Sequence, residues 1–152
     1  MSFKSDYNNG IENEQRILNI LKEKFNDKDN QIRLNKDKYG FYDIIDEINE
    51  RFYEIKKRNY DFKCFESWML GLDKYLELKK LKKINKKYKK FSLVFIQTNK
   101  TEDYFTIINK KKIINIQNFK REGRIDKIDI EKEYLYIESV FFKKLEKLKI
   151  KK

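Results

Sequence analysis

Three side chains define the chemistry open to this chain: Asp43, Glu54 and Lys56, in the stretch Gly40 to Arg58 that reads GFYDIIDEINERFYEIKKR. In Glu54-Ile55-Lys56 the acid and the lysine stand two residues apart. On a strand, that spacing puts both side chains on one face and turns Tyr53 and Ile55 the other way, into apolar packing. Asp43 lies eleven residues before Glu54 in the apolar run Phe41, Tyr42, Ile44, Ile45, so a neighbouring strand brings its carboxylate beside Glu54. Two carboxylates and a main-chain carbonyl, that of Ile55, make a hard oxygen site suited to Mg²⁺, with waters completing the shell and Mn²⁺ as a substitute. A cation there relieves the repulsion between the acids and lowers the pKa of a bound water. Lys56 can then orient that water or offset charge developing on a phosphoryl group.

Spacing alone does not single this site out. Three acid-x-Lys triplets occur, beginning at Glu54, Asp61 and Glu77, which is fewer than chance places in a chain so rich in lysine. Placement separates them. Glu77 falls in a helical pattern, where i and i+2 diverge by about 200°, and Asp61 follows the strand into a loop. Only Glu54 combines a strand pattern, an upstream acid on an apolar strand and a preceding helix that carries glutamates. The plain structural alternative is a surface ion pair on an edge strand.

The elements needed to position these residues can be read around them. Ile11, Ile17, Leu18, Leu21 and Phe25 recur at helical spacing, predicting a helix over 11–25. Asn8 or Asn9 would cap it, with Glu12 and Glu14 in a first turn that favours anions through the helix dipole. Short strands are expected at Gln31–Asn35 and from Gly40, a turn at Asp46–Glu50, and a strand over Arg51–Lys57. Phe65, Trp68, Met69, Leu72, Leu76 and Leu81 suggest one long helix from Cys64 to Tyr88 whose end is densely basic. Phe91–Gln97 reads as an interior strand. Tyr104–Ile108 and Ile113–Ile116 read as a hairpin around Asn109–Lys112, and Lys120–Asp129 as an exposed loop. A strand at Tyr134–Ile137 and a last helix with Val140, Phe141, Leu145 and Leu148 follow. The expected fold class is α/β, a central mixed β-sheet flanked by helices, in one domain over 1–152 with a basic C-terminal tail.

The composition narrows the chemistry further. Lys and Arg outnumber Asp and Glu by 37 to 25, for a formal charge of +12, a field that favours polyanions such as nucleic acid. A lysine-rich coding bias explains part of it, since Ala and Pro are absent. With 12 Phe and 10 Tyr the chain has the means to build a core despite 41% charged residues. There is no His, which removes every His-based triad and His-ligated metal site. The single Cys64 excludes an internal disulfide and a multi-cysteine zinc site, and it reads as a buried small hydrophobe. No P-loop, no long apolar span and no signal-peptide core appear, so a soluble intracellular protein without a membrane partner is expected. Catalysis, if present, rests on carboxylates, lysines and a bound metal.

A helix bearing Glu, an apolar strand bearing Asp, Glu-x-Lys on the next strand, then a long helix and further strands resembles the PD-(D/E)XK nuclease superfamily. Its small members include restriction endonucleases, Holliday junction resolvases and viral or phage nucleases. The resemblance covers residues 11 to 108, with Asp43, Glu54 and Lys56 as the signature and Tyr42 where a proline commonly precedes the aspartate. It implies a restriction-endonuclease-like core (α-β-β-β-α-β-β) and Mg²⁺-dependent hydrolysis of DNA. It also implies Asp43 and Glu54 as metal ligands, Lys56 assisting the attacking water, Glu14 (or Glu12) completing the site, and Lys74 near the scissile phosphate. Lys57, Arg58, Lys63, the helix-end lysines and the tail suit phosphate contacts without sequence readout. Tyr39, Tyr42 and Tyr60 flank the site, where base stacking competes with packing as their role. Cutting two strands symmetrically suggests a homodimer, with Phe141 and Phe142 as interface or as cover for the sheet. The alternative function is a non-catalytic nucleic-acid-binding or interaction domain whose carboxylates serve as ion pairs. Convergence of Asp43 and Glu54 is the geometric test.

Overall fold

Phe52, Tyr53 and Ile55 are residues that pack well on a pleated surface. In the computed structural model, which describes residues 3–37, 40–100, 102–109, 113–120 and 131–151, they lie on the strand Arg51–Arg58 (β3). Two short strands precede it, Ile32–Leu34 (β1) and Ile44–Asp46 (β2). The three form an antiparallel meander, with Ile32 opposite Asp46 and Ile44 opposite Tyr53. On its other edge β3 runs parallel to Ser92–Asn99 (β5), from Arg51 beside Ser92 to Arg58 beside Asn99. Parallel neighbours require a crossover. Here it contains Ser67–Gly71 (β4) and the helix Leu72–Ile84, which follows the N-terminal helix Phe3–Lys24 (α1) and is α2. Glu102–Ile107 (β6) and Lys143–Lys144 (β9) complete a sheet ordered β1-β2-β3-β5-β6-β9. β4 instead pairs with Glu131–Glu138 (β8), which pairs with Ile113–Lys120 (β7), in a second sheet ordered β4-β8-β7. The fold class is thus α/β with a mixed central sheet.

The main sheet is covered on both faces. Tyr53, Ile55, Val94 and Ile96 pack against Ile17, Leu18 and Leu21 of α1. Phe52, Leu93 and Phe95 face the other way, against Leu78 of α2 and Trp68, Leu70 and Ile137 of the second sheet. This explains why β3 is buried without interruption from Arg51 to Ile55. The turn between β2 and β3 is fixed by Asp46, which is fully buried. Its carboxylate accepts from Asn49 N (2.9 Å), Asn49 Nδ2 (2.8 Å) and Tyr53 OH (2.7 Å). The basic C-terminal segment is strapped to this turn. Arg51 donates to the Lys149 carbonyl (2.8 Å), and Lys151 N donates to Asn49 Oδ1 (2.9 Å).

Several expectations are corrected. α1 spans Phe3–Lys24, so Asn8 and Asn9 lie inside it and not at its N-terminus; Glu12 and Glu14 are far from its first turn, and the dipole does not account for them. The long helix over 64–88 is replaced by a 3₁₀ turn at Phe62–Cys64, the strand β4 and the shorter α2. Buried Trp68 and Leu70 alternate with partly buried Ser67 and Met69, a period-two pattern whose strand partner, β8, is remote in sequence. Cys64, on the 3₁₀ turn, is exposed rather than buried. β6 and β7 belong to different sheets and form no hairpin, since β6 is taken up by β5 and β9. The expected last helix is two 3₁₀ turns around β9. Phe142, Leu145 and Leu148 are buried at intervals of three, and Phe142 covers the sheet against Phe95 and Phe62. Of the expected loop at Lys120–Asp129, Lys120 ends β7 and the rest lies outside the described residues, as does the expected turn at Asn109–Lys112 beyond Asn109.

Candidate active site

The site forms where β2 gives out. Its first residue, Ile44, lies opposite Tyr53, so beyond that point β3 has no ladder partner on that edge. Asp43 fills the gap. Its N–H donates to the Tyr53 carbonyl (2.8 Å), its carbonyl accepts from Asn35 N (2.8 Å), and its Oδ2 accepts from the Ile55 N–H (2.7 Å). On a strand, a residue's N–H and C=O point to the same edge. The Ile55 carbonyl therefore faces the side where Asp43 stands.

Glu54 projects from β3 towards α2 and is buried. Lys56 Nζ lies 3.2 Å from Glu54 Oε1, as the shared strand face requires, and Lys74 Nζ approaches the same oxygen to 3.9 Å from the first turn of α2. Glu14 reaches in from α1 and brings its carboxyl beside that of Asp43.

The electrostatics express crowding. Glu54 is pushed up to about 7, first by burial and then by the charge of Asp43, with Lys56 and Lys74 opposing. Asp43 is pushed up to about 6, first by burial and then by the charge of Glu14, with the Ile55 N–H and Lys56 opposing. Burial also raises Glu14, against the hydrogen bond to Asp43 that lowers it. Burial and like charge act in the same direction on all three acids, as at sites that hold their protons in reserve for chemistry or for a cation. Among the described residues no three acid or thiol side chains form a ready-made metal cage. The donor set is the sparser one: two carboxylates and a peptide carbonyl, a combination that suits Mg²⁺, which keeps several of its waters.

The other expected residues divide. Lys74 stands beside Glu54. Lys57 is exposed and Arg58 half-buried at the end of β3, and Lys63 is exposed on the following 3₁₀ turn. Glu12 is exposed, one position off the inward face of α1 that carries Asn13 and Ile17. Tyr42 packs on Phe41 and Phe52, with ring centroids 5.0 and 4.6 Å away, so its role is in the core and not in base stacking. Tyr60 is exposed, and Tyr39 lies outside the described residues.

Two features were not anticipated. Gln97, on β5 directly beside Lys56, is 1% exposed and donates to Asn99 Oδ1 (3.0 Å), extending the polar face of the site across the parallel pair. The run Gln97-Thr98-Asn99 at the end of an apolar strand was the available signal. On the other face, Arg16 grips Asp103 with both terminal nitrogens (2.7 and 2.6 Å) and donates to Asn13 Oδ1 (2.8 Å), while Thr98 Oγ1 donates to Asp103 (2.7 Å). This network docks the turn of α1 that carries Glu14 onto β5 and β6.

Among the described residues no helix is long and apolar enough to cross a membrane. The chain matches no family model, no curated protein and no solved structure.

Proposed function

We propose that the protein is a metal-dependent endonuclease that hydrolyses phosphodiester bonds of DNA, working inside the cell as a member of the PD-(D/E)XK superfamily. The observation that carries this reading is Asp43 Oδ2 held by the Ile55 N–H at the open end of β2, one residue along from Glu54, with Lys56 against Glu54. The chain order supports the family reading: a helix, a three-stranded meander, then a crossover helix to a strand parallel to β3, with β4 as an addition.

In this reading Asp43, Glu54 and the Ile55 carbonyl would hold Mg²⁺, or Mn²⁺ in its place. When bound, the cation supplies a water of lowered pKa and neutralises phosphate charge. The protein's residues do the rest. Lys56 keeps its ammonium at Glu54, where it orients the attacking water and offsets charge developing on the phosphoryl oxygens. Lys74, entering from α2 on the same side, holds the scissile phosphate. Glu14 completes the acidic group from α1. Lys57, Arg58 and Lys63 continue the basic surface along the strand end and bind backbone phosphates without reading sequence.

A non-catalytic nucleic-acid-binding domain has one observation on its side: Glu54 is ion-paired to Lys56 and approached by Lys74. Plasmid nicking with Mg²⁺ or Mn²⁺ separates the two. Wild type should nick, and Lys56→Ala should lose nicking while still binding DNA. Wild-type protein that binds several DNA forms and cuts none would refute the enzyme reading.

A further inference from the structure

Beyond the carboxylate site, the chain leaving β3 builds a second surface. Past Arg58 it passes through Tyr60, Phe62 and Phe65 before entering β4 at Ser67. Their rings form a graded series. Phe62 stacks on Tyr104 (3.9 Å, 14°) and on Trp68 (5.7 Å, 19°); Trp68 is buried and Phe62 half-buried. Phe65 meets the Trp68 ring edge-on at 5.2 Å, and Tyr60 meets Phe65 at 5.6 Å with the planes at 86°. Yet Tyr60 is 58% exposed and Phe65 47%. Core packing accounts for the inner rings. It leaves about half of each outer ring facing water, adjacent in the chain to the residues that carry the chemistry.

This corner is held stiffly. Asn99 Nδ2 donates to the Tyr60 carbonyl (2.9 Å), Cys64 N donates to the Asp61 carbonyl (3.0 Å), and Ser139 Oγ donates to the Phe65 carbonyl (2.7 Å). Its chain neighbours are cationic: Lys57, Arg58 and Lys63. Of the two acids in this segment, Asp61 is offset by Lys100 at 3.3 Å, and Glu66, next to Phe65, is exposed. Exposed aromatic faces fixed in advance among cations are the features that bind single strands, since any base offers a ring to stack and the phosphates are met by charge. Intact duplex offers no free base face except at its ends.

We infer that Tyr60 and Phe65 form a stacking corner for unpaired bases, so that the substrate class is nucleic acid with a single-stranded or splayed segment next to the scissile phosphate. The inference rests on the nuclease reading for where that phosphate lies. Tyr60 is four residues beyond Lys56, within about 13 Å along an extended chain, which is a span of a few nucleotides.

The test uses the full chain in chelator, so that binding is read without cleavage. Anisotropy is measured on a labelled single strand and on a blunt duplex of equal length. Tyr60→Ala and Phe65→Ala should each weaken the single strand about ten-fold and the duplex little. Tyr60→Phe, which keeps the ring, should bind as wild type does. Because Phe65→Ala could disturb Trp68, a second readout needs no variant: 2-aminopurine placed singly along the strand should be quenched at one or two adjacent positions. Equal weakening on both substrates, no weakening in a variant that melts like wild type, or 2-aminopurine unquenched at every position would each overturn the inference. Its failure is distinguishable from failure of the nuclease reading. A protein that nicks DNA but stacks no base refutes the corner alone; one that quenches 2-aminopurine but never cuts refutes the enzyme alone.

Discussion

Replacing Glu54 by Gln should stabilise the metal-free protein, and by an amount that depends on pH. Glu54 is buried and its carboxyl is pushed up from 4.5 to about 7. Between those values the native state binds more protons than the unfolded chain, so stability falls as pH rises through the window and the loss is complete above pH 7. Each unit corresponds to about 1.4 kcal/mol. At pH 8 the ionised side chain therefore costs up to about 3 kcal/mol relative to a neutral one, and at pH 5 about 1 kcal/mol or less. Gln is the neutral isostere, so Glu54→Gln should raise Tm in chelator by up to roughly 10 °C at pH 8, shrinking to about 2 °C at pH 5. Saturating Mg²⁺ should reverse the ranking, raising the wild-type Tm by linkage and leaving the variant unmoved. Thermal unfolding followed by circular dichroism at the two pH values, with and without Mg²⁺, measures all of this. A variant less stable than wild type at pH 8, or a gain that does not shrink at pH 5, would refute the claim that burial and the charge of Asp43 outweigh the relief from Lys56 and Lys74.

Arg16→Ala removes the clamp on Asp103, a contact partly open to solvent; it should cost about 1 kcal/mol in urea unfolding while slowing Mg²⁺-dependent nicking about ten-fold or more, because Glu14 loses its fixed approach to Asp43. Nicking unchanged in the variant would remove the positioning role of the clamp. Tyr53→Phe deletes a buried hydroxyl that donates to Asp46 at 2.7 Å and should destabilise by about 1–2 kcal/mol, with nicking at 25 °C unaltered, since the lost bond lies on the α1 face of the sheet, opposite Glu54 and Lys56, and the Tyr53 carbonyl that holds Asp43 is kept.

What was legible in the sequence was local. The two-residue period of a strand put Glu54 and Lys56 on one face, and the 3.6-residue period of α1 placed Ile17, Leu18 and Leu21 together. What was not legible depended on partners far along the chain. Phe65, Trp68, Met69 and Leu72 fit a helical face as strings go, but Trp68 and Leu70 are buried because β8, more than sixty residues later, pairs with them. Only Leu78 of α2 is fully withdrawn, so that helix is positioned by the crossover it spans more than by an apolar stripe of its own. Val140, Phe141, Leu145 and Leu148 imitate a helix, but Val140 and Phe141 are exposed, and Phe142 is buried with Leu145 and Leu148 on short turns instead. Gln97 could be seen beside Lys56 only once the register of the parallel pair was known.

The convergence of Asp43 and Glu54 depends less on the Glu-x-Lys string than on the shortness of β2. Had β2 begun two residues earlier, the Ile55 N–H would pair with its backbone, and the Asp43 side chain would stand perpendicular to the sheet on one face. Because the ladder starts at Ile44, the Ile55 peptide is left for a side chain, and Asp43 turns along the sheet edge to take it. From that edge it meets acids from both sides of the sheet, Glu14 from the α1 layer and Glu54 from the α2 layer. The backbone bonds of Asp43 to Asn35 and Tyr53 keep the carboxylate from swinging away from this repulsion. A strand end held on both sides keeps three acids that would otherwise separate within reach of one another's charge.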